Sequence, residues 1–134
     1  INTYERISKN VRDNVHFPAR IICYKCELYY QTGNLPALES LLKSLGELEK
    51  NFDQNMSLNF YLGIIEASKE NEEKFMEYMK ICLPYYEKYK VHDRLTDIYK
   101  ILASQAEDKR QYKVSAEYYA RLVAILEESG VGYI

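Results

Sequence analysis

Cys23-Tyr24-Lys25-Cys26 is the stretch of this chain closest to a reactive motif, because two thiols three positions apart can share a metal ion or form a redox disulfide. A structural zinc takes four ligands, and the only other cysteine, Cys82, has no paired ligand near it in the sequence. A thioredoxin-like pair stands at a helix start after a strand, whereas this pair falls inside a helical pattern. It therefore reads as small packing residues, and unpaired, reduced thiols favour an intracellular compartment, here the cytoplasm. His16 and His92 stand beside turns without a serine or cysteine nucleophile motif, so they read as helix-end residues. Gly-rich phosphate loops are absent. Glu72, Glu73 and Glu77 alternate with Lys74 and Lys80 as on a solvated helix face. Asn55-Met56-Ser57 fits the glycosylation sequon, but with no secretion signal it reads as a helix cap. No residue is left as a catalytic, metal-ligating or cofactor-binding candidate, so the expectation is a chain that is not an enzyme.

The elements that carry these residues follow from composition and spacing. With 134 residues, 47% hydrophobic and 28% charged, the chain has the make-up of one globular domain rather than a disordered segment. A net charge of -2 supplies no basic field for nucleic acid or an anionic membrane. With that charge no direct nucleic-acid contact is expected, and no run approaches 18 apolar residues, so no membrane span is expected either. Three prolines and five glycines without repeated turn clusters argue against an all-β sandwich. The chain opens on Ile1 rather than methionine, which predicts a piece of something longer.

A shift of 37 residues superimposes the apolar positions of three segments. Ile21, Leu58 and Leu95 align, as do Tyr24, Tyr61 and Ile98, then Leu28, Ile65 and Leu102. Further on, Leu38, Phe75 and Tyr112 fall together, followed by Leu42, Met79 and Ala116, then Leu45, Cys82 and Tyr119, then Leu48, Tyr85 and Leu122, then Phe52, Tyr89 and Leu126. Steps of three and four within each copy predict two amphipathic helices, A and B, joined by a short polar turn. Gln31-Thr32-Gly33-Asn34 is the first such turn: Gly33 suits a left-handed helix end, Asn34 a helix cap, and Pro36 a first helical turn. Moving helix B back by 37 makes residues 1–15 the B helix of a repeat whose A helix is missing. The expected architecture is all-α, about seven antiparallel helices in a helical-repeat solenoid: 2–15, 18–32, 35–52, 56–69, 72–90, 94–107 and 111–129. In repeats these are 1–15 (half), 18–52, 56–90 and 94–129 of a single domain spanning 1–134. Pro84 should kink or split the fifth helix.

Leu28 to Glu39 resembles the turn between helices A and B of tetratricopeptide repeats, normally 34 residues long. Tyr61-Leu62-Gly63 is similar to the aromatic-leucine-glycine of helix A in that family, and Tyr112 to Tyr119 to the start of a helix B. The period is three residues longer here, and Leu38 or Phe75 replaces the usual small residue on helix B. Divergent, tyrosine-rich repeats of this kind resemble those of bacterial signalling proteins. These are peptide-responsive transcription regulators, and proteins with repeats ahead of a diguanylate cyclase or similar output domain. The resemblance implies a peptide- or protein-binding module of a larger regulatory protein, with helix A lining a concave binding face. Its alternative is a structural stem that dimerises and couples to a fused DNA-binding or cyclase-type domain.

Stepping off the core columns on helix A places Arg20, Glu27, Tyr30, Phe60, Ile64, Arg94, Asp97 and Ile101 on that face. One reading is a groove with Phe60, Ile64 and Ile101 as its apolar floor and Arg20, Glu27, Arg94 and Asp97 as its charged rim, suited to a peptide. Tyr30 is its single best partner contact. The other reading has helix 56–69, apolar nearly all round, buried as core. A truncated array also exposes apolar ends, so Ile1, Tyr4 and Val11 form a candidate contact for a homodimer.

Overall fold

A computed structural model describes residues 16–128. The half repeat expected over 1–15 and the contact expected from Ile1, Tyr4 and Val11 lie outside these described residues. Six helices and no strand are found among them: α1 Phe17–Thr32, α2 Leu35–Glu47, α3 Phe52–Ser68, α4 Glu72–Lys88, α5 His92–Asp108 and α6 Tyr112–Glu128. Consecutive helices pack as antiparallel neighbours, and α1 also lies against α3. The all-α class follows from the three-and-four spacing.

The first turn forms as its residues dictate. Gly33 takes φ 75°, and the Asn34 side chain accepts a hydrogen bond from the Ala37 amide at the start of α2. Asn71 caps α4 in the same way, accepting from Lys74. The later turns place Glu70, Lys90 and Arg110 at φ 60°, 52° and 59°, the left-handed region that costs a side-chain-bearing residue. Arg110→Gly is therefore expected to stabilise the fold by about 1 kcal/mol, read as a higher urea midpoint at unchanged slope.

Two boundaries depart from expectation. Helix α2 ends at Glu47 instead of running to 52, and α3 begins at Phe52 rather than 56. The Lys50 ammonium donates to the carbonyls of Leu45, Gly46 and Leu48, satisfying the end of α2. Asn51 and Gln54 then exchange reciprocal side-chain to backbone hydrogen bonds, a capping box that opens α3. Phe52, expected on a core column, is thereby left exposed in the first turn of α3. Pro84 does not split α4; it is exposed, as is Lys80, whose carbonyl it deprives of a donor.

The spacing between hairpins is also not uniform. The second helices of the three hairpins start at 35, 72 and 112, that is 37 and then 40 positions apart. The buried columns follow the same two steps: Leu38, Phe75 and Ser115; Leu45, Cys82 and Leu122; and, on the first helices, Cys26, Gly63 and Ala103. A fixed shift of 37 therefore assigned Tyr112, Ala116 and Tyr119 to the core, and all three are exposed. Ile21, Tyr24 and Leu28 are exposed as well, on α1. At Gly63 α4 packs close against α3: a Cβ there would stand 2.3 Å from the Met79 Cε and 3.4 Å from the Tyr78 Cβ.

Candidate functional site

Alternate helices of such an antiparallel chain run in the same direction, so α1, α3 and α5 are parallel, and their side chains meet across α3. Arg94 in the first turn of α5 is the centre. Its Nη2 lies 2.8 Å from the Glu27 Oε1 of α1 and donates to the Tyr61 hydroxyl of α3 at 2.9 Å. Its guanidinium covers the Phe60 ring at 4.3 Å and lies 5.0 Å from the Tyr61 ring. Glu27 also accepts hydrogen bonds from the Tyr61 hydroxyl and the Gln31 amide. One turn along α1, the Tyr30 hydroxyl donates to the Asp97 carboxylate of α5. The Tyr30 ring meets Phe60 edge-on at 5.4 Å, and Tyr86 of α4 closes on Phe60 from the other side at 6.2 Å.

The electrostatics of the cluster hold each group in one protonation state. Burial works to raise the Glu27 pKa, but hydrogen bonds from Gln31 and Tyr61 and the Arg94 charge outweigh it and hold the carboxyl below its ordinary value. Burial works against the Arg94 charge, and the surrounding Tyr61 and Glu27 overcome it, so the guanidinium is held charged more firmly than usual. Burial pushes the Tyr30 hydroxyl up, reinforced by Asp97; burial also pushes Tyr61 up, with Arg94 opposing and Glu27 reinforcing. Glu27, Arg94, Tyr30 and Tyr61 are thus all shifted away from neutrality rather than towards it.

Two cavities flank the cluster along the helix axes. One, of about 430 Å³, lies towards the starts of the three helices, where Arg20, Cys23, Gln54 and Ser57 join Glu27, Tyr61 and Arg94 in its wall. The other, of about 720 Å³, lies towards the ends of α3 and α5 and has Ile64, Ala67, Ile101 and Leu35 among its lining. Arg20 is exposed, its guanidinium 5.9 Å from the Tyr24 ring centroid.

The eight residues singled out from the sequence thus divide. Glu27, Tyr30, Arg94 and Asp97 converge, but on each other. Phe60 is wholly buried beneath Arg94, so it packs as core and presents nothing to a partner. Ile64 and Ile101 share the larger cavity, and Arg20 borders the smaller. Sequence reading missed the hydroxyl role of Tyr61, which its place on a core column concealed. A tyrosine at a core position is itself the signal, because a buried hydroxyl needs a partner.

The Cys23-Cys26 pair lies one turn apart on α1. Burial pushes the Cys26 and Cys82 thiols up to about 12; it raises the half-buried Cys23 too, with the Asp53 charge adding to it. Only the thiolate reacts. At pH 8 a thiol reagent is expected to modify Cys23 first, with Cys26 and Cys82 reacting only on unfolding. Peptide mass spectrometry over time checks the order, and equal labelling of all three would contradict this burial.

No described helix is long and apolar enough to cross a membrane. Compared with family models, curated proteins and solved structures, the chain matches none of them.

Proposed function

We propose that this chain is a non-catalytic binding module that holds a peptide or protein segment along the face formed by α1, α3 and α5, within a larger bacterial signalling or regulatory protein. The observation that carries the reading is a pair of cavities either side of the Arg94 cluster, the smaller walled by α1, α3 and α5 and the larger by α3, α5 and the starts of α2 and α4. An elongated segment can reach both, and the cluster fixes the three helices so that the face is preformed, which lowers the ordering cost of binding. The protonation states held by the cluster suit a rigid frame better than acid–base work. The helix hairpins, and the recurrence of small buried residues at Cys26, Gly63 and Ala103, support reading the chain as a tetratricopeptide-like solenoid, and its three unpaired cysteines fit a cytoplasmic location.

The test is selection from a random dodecapeptide library on the immobilised protein, repeated on an Ile101→Glu variant of matching helicity. Ile101 is partly exposed and borders the larger cavity. A set of peptides retained by the parent and lost on the variant supports the reading; peptides indifferent to the substitution place binding elsewhere.

A second reading rests on a different observation. Ile21, Tyr24 and Leu28 on α1, and Tyr112, Tyr119 and Val123 on α6, are exposed apolar side chains at the two ends of the helix order. Such ends suit a stem that stacks on neighbouring domains or on a second copy. Sedimentation of the parent against Tyr119→Glu distinguishes it: a concentration-dependent dimer lost on substitution favours the stem.

A further inference from the structure

Helix α6 carries an apolar stripe on its exposed side. Tyr112, Ala116, Tyr119 and Val123 follow one another in steps of four, three and four, the heptad spacing by which two helices pack along a common seam. All four are exposed, Tyr112 at 66% and Val123 at 43%. The buried residues of this helix, Ser115, Leu122 and Ile125, lie on the side that packs against α5. The positions 40 earlier, on α4, hold Met76, Met79 and Leu83; α4 lies between α3 and α5, and there the same positions pack into the core. Charge indicates what covers the stripe on α6. Lys113 and Glu127 stand on one flank of it, near the two ends of the helix, with Ala120 midway between them. All three are exposed, and neither charge has an ion-pair partner among the described residues, whereas the adjacent Glu128 is held by Lys90 at 2.8 Å.

We propose that the stripe is the seam of a homodimer, in which a second copy of this chain lays its own α6 antiparallel along Tyr112, Ala116, Tyr119 and Val123. Two antiparallel copies of one helix bring the same flank of each together in reversed order. A two-fold axis beside Ala120 therefore sets Lys113 of each copy against Glu127 of the other, and Tyr119 of each against Val123 of the other. The small Ala120 side chains let the helices approach closely at the axis. A parallel pair would put the two flanks on opposite sides of the seam and leave both charges unmatched. The inference rests on the reading of the chain as a stem and adds which helix associates, in which direction, and with what.

Zero-length carbodiimide cross-linking of the parent tests the direction. Lys113 and Glu127 are about 21 Å apart along one helix, too far for an amide within a chain, so a peptide joining them is expected in the covalent dimer. Sedimentation tests the pairing. Lys113→Glu and Glu127→Lys should each weaken the dimer about fivefold or more at low salt, and the two together should restore it. All these sites are exposed, so parental helicity is expected throughout. A dimer that Tyr119→Glu disrupts, but that yields no such cross-link and ignores the charge exchange, overturns the antiparallel seam and leaves the stem reading standing. A dimer indifferent to Tyr119→Glu, or a parent that stays monomeric at every concentration, overturns both the seam and association through this face.

Discussion

Arg94→Ala is expected to lower the unfolding free energy by about 3 kcal/mol, the scale for removing one member of a buried ion pair. The side chain is only 15% exposed, and its loss leaves the Glu27 carboxylate and the Tyr61 hydroxyl facing each other without a cation between them. It also uncovers the Phe60 ring. Glu27 is 36% exposed, so water compensates part of the cost and the full range for a dry pair is not reached. Urea unfolding followed by circular dichroism should show the midpoint falling by one molar or more. Arg94→Met combined with Glu27→Met should recover much of the loss, because exchanging both partners for apolar groups leaves no orphaned charge. A loss under about 0.5 kcal/mol for Arg94→Ala would instead mark the pair as an ordinary solvated one.

The same pair predicts a pH dependence of definite sign. Glu27 has its folded pKa held below the unfolded value, which for glutamate is about 4.3. Its contribution is therefore fully present above that value and disappears as the pH falls through the folded pKa. The stability difference between the parent and Glu27→Gln should be constant near neutrality and shrink on acidification below about pH 4. A gap that widens on acidification would contradict the depressed carboxyl.

The parts of the fold readable in advance were those set by local chemistry. Gly33, Asn34 and Pro36 each act within one turn of chain, and the structure uses them as their types require. The interval between hairpins was harder, because apolar residues recur every three or four positions. A register of 37 and one of 40 both place apolar residues opposite one another, and only packing separates them. Ser115, buried and donating to the Ala103 carbonyl, occupies the core position that Tyr112 was expected to fill. The α3 start was missed for a related reason: Asn51 and Gln54 form a capping box, but Phe52 continued the apolar spacing of α2 and hid the stop. At the face of α1, α3 and α5, spacing identified which residues meet but not what they do on meeting. Glu27 and Arg94 were placed as rim charges for a partner, and instead they satisfy each other, because an arginine this buried takes the nearest carboxylate.

Phe60→Ala is expected to cost about 3–5 kcal/mol, the range for truncating a buried phenylalanine into a cavity its surroundings cannot close. Collapse is resisted here from every side. Tyr30, Tyr61 and Tyr86 contact the ring from α1, α3 and α4, and two of their hydroxyls are tied down: Tyr30 to Asp97, and Tyr61 to Glu27 and Arg94. Moving inward to fill the space would break those bonds, so the cavity should persist. Phe60→Leu keeps most of the volume and should cost distinctly less, about 1–2 kcal/mol, with the remainder reflecting the lost edge-to-face and cation–π contacts. Thermal unfolding reads both, at several degrees per kcal/mol for a chain of this size. The variant also separates frame from contact surface. Because Phe60 is wholly buried, any loss of peptide binding in Phe60→Ala should be recovered when the folded fraction is restored by cooling or a stabilising osmolyte. Loss through Ile101→Glu should not recover, since that substitution alters the wall of the cavity itself. Binding lost irretrievably at Phe60 under conditions where the variant is fully folded would show that the aromatic cluster sets the shape of the face as well as its stability.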